Sequence, residues 1–368
     1  MKKIVRFRYL ERNDFLNKVD IKQLIKFLYS GNYVGDNIRK KFETSINNYI
    51  KSPYSISVSS GTNAIYLSLK CAGIKKNDEV LVPCLSWLST FTAISMIGAK
   101  AIGVDINTNF AMDLSDLKSK ITKKTKAILF VHFSGFATDL TVIKKICENK
   151  KIILIEDCAQ SFGAFVNKRS TGTFGDFGAF SMNPMKVFSS FGEMGLITVK
   201  KKQNINKLEV FRYAGIKNKE KCVSPELNHK SDNLQCFILS RKLSKLKKII
   251  GKRIMIAKEY NDKLHSSIKK PIFKNNFSHI YYSYIIICNN RDKLKKFLEK
   301  KGIETKIQHK FLITDHKAFK KYNKNIKFNV ADKLKNKILS LPIDENLIKK
   351  EINYIIKNVN KFYTNEKK

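Results

Sequence analysis

Apolar residues recur along this chain with two periods, and the change from one to the other orders its architecture. Ile21, Leu24, Ile25 and Leu28 follow the i, i+3, i+4, i+7 spacing of a helical face that Asp20 can cap and Gly31 can end. A second helical face carries Ile38, Phe42, Ile46 and Tyr49, with a turn over 31–36 between the two. The small-residue turn at 57–64 opens a third apolar helix through Ile65, Leu67, Leu69 and Ala72. From residue 79 the pattern alternates. Short apolar runs at 79–83, 101–104, 127–132 and 152–156 predict buried strands, and the intervals 87–97, 113–121 and 139–149 predict helices. Such alternation gives βαβ units, hence an α/β fold with a mostly parallel sheet flanked by helices and functional groups at the strands' carboxyl ends.

After a strand at 196–199 come a helix near 206–213, a loop-like stretch at 215–230 and a helical region over 232–265. Strands at 281–288 and 303–307 flank a helix at 291–301, and the segment 339–342 leads to a final amphipathic helix at 347–361. The predicted division is an N-terminal arm and large α/β domain over 1–240, followed by a small α+β domain over 241–368.

Charge changes this picture less than its size suggests. Lys and Arg number 71 of 368 and the net charge is +40. Yet lysine is spread over nearly every predicted helix and almost vanishes from 52–69, 77–99, 127–143 and 170–199, so the excess marks the solvent side. A nucleic-acid binder concentrates such charge on one face or tail, and none is expected here. The run 80–99 is uncharged and long enough to span a bilayer, but Pro83, Ser86, Ser89, Thr90, Thr92 and Ser95 make it a strand, a turn and a helix, without membrane insertion. Seven cysteines form no CxxC pair, which fits a reducing compartment without structural zinc, and the basic start lacks the apolar stretch of a signal peptide. A cytoplasmic location is the expectation.

Against this background one lysine stands apart. At the average frequency a 30-residue window would hold about six basic residues, but 170–199 holds only Lys186, set among Met182, Met185, Val187 and Phe188. A shielded lysine amine is the group that condenses with carbonyls. The alternative is a lysine whose stem lies on apolar surface while its head reaches water. Asp157 directly follows a buried-strand run and should emerge at the sheet's rim, where a carboxylate can also cap a helix or bind a metal, although the nearest His in sequence is His132. Free N–H groups at Gly61, Thr62 and Asn63, with the Thr62 hydroxyl, suit a phosphate, and an ordinary N-cap explains them equally well. Trp87, the only tryptophan, follows the strand 79–83 and is a stacking face or a core residue. Pyridoxal phosphate needs an amine for its aldehyde, an acid for its ring nitrogen and a helix start for its phosphate.

With these residues in order the chain resembles the pyridoxal-phosphate-dependent sugar aminotransferases of the DegT/DnrJ/EryC1/StrS family, of aspartate-aminotransferase fold type. The resemblance runs through Tyr33-Val34-Gly35, Ser59-Ser60-Gly61-Thr62-Asn63-Ala64, Asp78-Glu79-Val80-Leu81-Val82-Pro83, Val104-Asp105-Ile106 and Ile155-Glu156-Asp157-Cys158-Ala159-Gln160. It continues through Gly175-Asp176-Phe177-Gly178-Ala179-Phe180-Ser181, the Lys186 segment, Gly192-Glu193-Met194-Gly195 and Leu339-Ser340-Leu341-Pro342. It implies that Lys186 carries the cofactor, Asp157 pairs with its ring nitrogen, Gln160 lies near its 3-hydroxyl and Trp87 stacks on it. Gly61, Thr62 and Ser181 match phosphate contacts, and Asn228 matches an Asn that reaches the neighbouring subunit's cofactor. The implied enzyme is a homodimer with shared sites that moves an amino group, from glutamate, to a nucleotide-linked keto-sugar. Lysine at 186 sets the chain apart from the family's dehydratase branch, which has histidine there.

The departures are Glu226-Leu227-Asn228-His229-Lys230 for Gly-Tyr-Asn-Tyr-Arg, Gln308-His309 for His-Tyr, and His132-Phe133-Ser134-Gly135 for His-Leu-Tyr-Gly. They fall where sugar and partner subunit would sit. Other readings are an aminotransferase for a different ketone or aldehyde, a catalytically silent regulatory homologue, and a basic nucleic-acid-binding protein, which predicts strongly salt-sensitive binding.

Overall fold

The computed structural model describes residues 4–12, 15–271 and 278–365. Its centre is a seven-stranded sheet. The strands are β1 (Tyr54–Val58), β2 (Glu79–Pro83), β3 (Lys100–Val104), β4 (Thr125–Val131) and β5 (Ile153–Asp157) and, after a small hairpin of β6 (Phe165–Val166) and β7 (Arg169–Ser170), β8 (Phe177–Ser181) and β9 (Gly195–Val199). The order is β1-β9-β8-β5-β4-β2-β3. The neighbours from β3 through β8 pair in parallel, whereas β9 runs antiparallel to both β8 and β1. The runs predicted for this sheet, 79–83, 101–104, 127–132, 152–156 and 196–199, hold to within two residues at each end, whereas β1 and β8 are not predicted as strands.

The strands are apolar on both faces because both are covered. Val80, Val82, Ala127 and Leu129 enter one buried cluster, while the alternating Leu81, Ile128 and Phe130 enter another on the opposite face. A third cluster joins Ile256 and Tyr260 to Tyr284, Ile286, Leu339, Leu341, Ile355 and Val359. It covers the two-stranded pair Tyr284–Ile287 and Ile338–Leu341 and the last helix, Lys349–Asn365.

Four helices lead into the sheet: α1 (Lys18–Tyr29), α2 (Asn37–Ile50), α3 (Gly61–Cys71) and α4 (Leu88–Met96). Several expectations need correction. Asn17, not Asp20, caps α1; Asp20 closes the capping box from the third helical position. The apolar stripe of α1 is exposed at Ile21, Ile25 and Leu28. The region 232–265 is two helices, Asn233–Leu243 and Leu246–Lys263. The stretch 215–230 contains a short hairpin, Ile216–Lys217 with Lys221–Cys222. Residues 303–307 form no strand: Ile303 bridges Val5 and Lys306 bridges Ser340, so the segment splits its hydrogen bonds between two partners. Among the described residues no helix is long and apolar enough to cross a membrane.

Candidate active site

Parallel strands place their carboxyl ends along one rim, and the candidate residues gather there. β1 delivers Ser59 and Ser60 to the start of α3. Ser60 caps that helix by accepting the Asn63 N–H at 3.2 Å, and the Asn63 side-chain amide donates to Ser59 Oγ at 2.7 Å. Asn63 is thus spent on the loop's own geometry. Among the described hydrogen bonds, none takes the N–H groups of Gly61 and Thr62. Ser181, the last residue of β8, lies against this helix start: a Cβ on Gly61 would come 2.5 Å from the Ser181 Cβ and 3.0 Å from its Cα. Only glycine admits so close an approach.

Asp157 ends β5 and is 5% exposed. Its Oδ1 accepts the Ala159 N–H at 3.0 Å, and its Oδ2 accepts the Thr90 hydroxyl at 2.9 Å. Burial pushes the carboxyl above its ordinary pKa, and the two hydrogen bonds and the positive charge of Lys186 offset this only in part. The preceding acid has a different task. Glu156, fully buried, accepts the N–H groups of Gly172, Phe174 and Gly175 and the Nε2 proton of His132, whose Nδ1 accepts from the Thr138 N–H. It ties down the loop before β8.

Lys186 sits half-buried in the turn after β8, above the buried side chains of Met182, Val187 and Phe188. Its Nζ lies 4.9 Å from the centre of the Tyr282 ring. Burial works to raise the Tyr282 phenol, but the charges of Lys186 and Arg8 outweigh it and hold the phenol below its ordinary pKa. Gln160 is buried and accepts the Ser134 N–H at 2.7 Å. Trp87 precedes α4 and is 60% exposed, its ring centre 6.3 Å from that of His309. Burial, with Lys186 and Lys306 behind it, pushes His309 down to about 3, so the ring is neutral. Asn228 is the outlier: its side chain is exposed and accepts only the Lys230 N–H at 3.1 Å, while its neighbour His229 accepts the Ser59 N–H at 2.8 Å through its main chain.

The residues present fit pyridoxal phosphate. A helix start with unclaimed N–H groups, a buried carboxylate without a cation in hydrogen-bond contact, an exposed indole and a half-buried lysine converge on one rim. This is the fold of a pyridoxal-phosphate-dependent aminotransferase. A sequence model of the DegT/DnrJ/EryC1/StrS aminotransferase family matches residues 15–360, and the chain belongs to that family. It is 30% identical over 295 residues to a dTDP-3-amino-3,4,6-trideoxy-alpha-D-glucose transaminase from Micromonospora megalomicea subsp. nigra, covering 78% of each chain. It is 29% identical over 342 residues to the GDP-perosamine synthase of Escherichia coli O157:H7, covering 91% of this chain and 92% of the relative. The crystal structure of DesV from S. venezuelae superposes with a TM-score of 0.92 at 25% identity, covering 98% of each chain.

Sequence reasoning missed Thr90, Tyr282 and Arg8. Thr90 was recognisable only as one hydroxyl among several in 80–99.

Proposed function

We propose that this aminotransferase transfers an amino group from glutamate to a keto group on a nucleotide-linked sugar. The observation that carries the reading is the pairing of Asp157, buried at the end of β5, with Lys186 close enough for its charge to act on that carboxylate. The relatives' names support the acceptor class, and because they include both dTDP- and GDP-linked sugars they leave the nucleotide open. Bound pyridoxal phosphate supplies an electron sink for a carbon that loses its proton and a carrier for the amino group. Asp157, held in place by Thr90 and the Ala159 N–H, would hold a proton on the ring nitrogen. The N–H groups of Gly61 and Thr62, with Ser181, hold the phosphate. Trp87 and Gln160, the latter fixed by Ser134, would help to hold the cofactor's ring. Lys186 Nζ would hold the cofactor's aldehyde and, once free, would move a proton at the donor carbon.

The active unit of this reading is a symmetric homodimer. Ile21, Ile25, Leu28 and Tyr29 are exposed on one face of α1, with Val34 exposed in the turn after it, and an apolar face of this kind fits an interface. Asn233 donates its main-chain N–H to Tyr33 O and its side chain to Asn32 O, which joins this surface to the loop that carries Asn228. A two-fold axis through it would present Asn228 to the partner's site.

The test loads the protein with pyridoxal phosphate, adds glutamate, and follows the cofactor's visible absorbance. A panel of nucleotide-linked keto-sugars should then restore the absorbance in stoichiometric amount. Lys186→Ala should bind cofactor without covalent attachment and lose turnover, with a melting temperature near the parent's. Parent-rate turnover in that variant, or absorbance restored equally well by simple keto acids other than 2-oxoglutarate, which is the donor's own product, would rule the reading out.

A further inference from the structure

A cavity of about 500 Å³ opens beside Lys186, between the N-terminal arm, the turn after β8, the helix Leu246–Lys263 and residues 344–346. Its buried charges do not balance. Asp344 and Glu345 both engage one cation, Arg253, at 3.6 and 2.5 Å. Arg8 is spent on two carbonyls, those of Tyr282 and Ile343. Lys242 is 4% exposed, yet its Nζ finds a hydroxyl, Ser189 Oγ at 2.7 Å, and among the described residues no carboxylate lies within ion-pair distance. At the rim, Asp20 is already paired with Lys245 and Glu351 with Arg12, so neither carboxylate supplies the missing negative charge. Among the described residues this ammonium has the Phe15 ring 4.8 Å from Nζ and the more distant charges of Glu345 and Asp344, and a buried ammonium with no carboxylate in contact is costly. A cavity that retains one is built to receive an anion.

We propose that Lys242 is the anchor of an oxyanion subsite in this cavity, which takes a carboxylate or phosphate group of the substrate being processed at Lys186. The inference rests on the reading of Lys186 as the reactive amine. Ser189 orients the ammonium, and two of its three N–H donors remain for the ligand. Arg8 backs the subsite from the arm and also touches the Tyr282 main chain, linking it to the ring beneath Lys186. Two sources share this chemistry: the carboxylate of a dicarboxylic amino donor and the diphosphate of a nucleotide-linked sugar.

The test measures equilibrium binding of succinate and of inorganic pyrophosphate to the cofactor-loaded protein by calorimetry, for the parent, Lys242→Met, Lys242→Gln and Lys242→Arg. Loss of one charge-assisted contact should weaken a bound probe by about 10- to 100-fold in the Met and Gln variants and only a few-fold in the Arg variant. Removing an unpaired buried charge should leave the melting temperature of the unliganded Met variant no lower than the parent's. A purely structural lysine would lower it. A loss confined to succinate assigns the subsite to the donor, a loss confined to pyrophosphate assigns it to the nucleotide, and loss of both assigns it to each in turn. Parental affinities in Lys242→Met, or a parent that binds neither probe, overturn the proposal. No arm uses an acceptor sugar, so this failure and that of the nucleotide-sugar reading show separately.

Discussion

Thr90→Val removes one oxygen from the protein and should reveal how Asp157 is controlled. The Thr90 hydroxyl donates to Asp157 Oδ2 at 2.9 Å in a buried setting, so solvent does not replace it. A hydrogen bond to a charged group contributes about 2 kcal/mol, and its loss moves the carboxyl's pKa upward. Burial already holds that pKa above its ordinary value, so the variant moves it further in the same direction. The penalty falls on the ionised form. A folded pKa raised above the unfolded one favours the native state at low pH and costs stability as pH rises through it. Unliganded Thr90→Val should therefore lose about 2 kcal/mol at pH 8 and markedly less at pH 4, measured by urea unfolding at a series of pH values. In the loaded enzyme the carboxylate loses the contact that aims it, and the glutamate-dependent change in cofactor absorbance should slow by about 10- to 30-fold. Thr90→Ser keeps the hydroxyl and should recover most of both. Parental stability at pH 8 together with a parental half-reaction rate in Thr90→Val would show that Asp157 is positioned by something else.

Gly61→Ala places a Cβ 2.5 Å from that of Ser181, an overlap that costs about 1–3 kcal/mol or is relieved by separating the helix start from β8; cofactor titration should show weaker retention, and parental affinity would remove Gly61 from the phosphate cradle. Asn228→Asp sets a negative charge against the phosphate in the proposed dimer. Mixed with Lys186→Ala chains it should regain activity, because one site per mixed dimer has both Lys186 and the partner's intact Asn228; a fully active Asn228→Asp homodimer would refute the shared site.

Hydrophobic spacing located the sheet well because every strand from β2 to β5 is buried on both faces and reads as an unbroken apolar run. It did less well wherever burial depends on what lies opposite. Ile21, Ile25 and Leu28 have perfect helical spacing, yet in the single chain they face outward. Periodicity reports the element, and the partner that covers it has to come from elsewhere. The segment 303–307 has the composition of a strand, but Val5 claims one end and Ser340 the other, so no ladder forms. Val5 and Ile303 are nearly three hundred residues apart in the chain, and no local pattern registers such a competition.

The pair Glu156 and Asp157 shows where sequence reading of the site stops. Both end the same apolar run, both are buried, and spacing alone says only that they point to opposite faces of the sheet. What separates them is tertiary. Glu156 is saturated by three backbone N–H groups and a histidine, so its charge is consumed in fixing the loop before β8. Asp157 receives one N–H and one hydroxyl, too few to offset its burial, and stays available for a cationic partner. The same contrast separates Arg253, which takes both nearby carboxylates, from Lys242, which takes none. In each pair the satisfied group holds the scaffold, whereas the one left short of partners stays open to a ligand. Residue identity is nearly useless for this distinction, since acid is matched with acid and cation with cation. The hydrogen-bond inventory around each group decides it, and that inventory is written by segments as distant in sequence as residues 8, 90, 189 and 344.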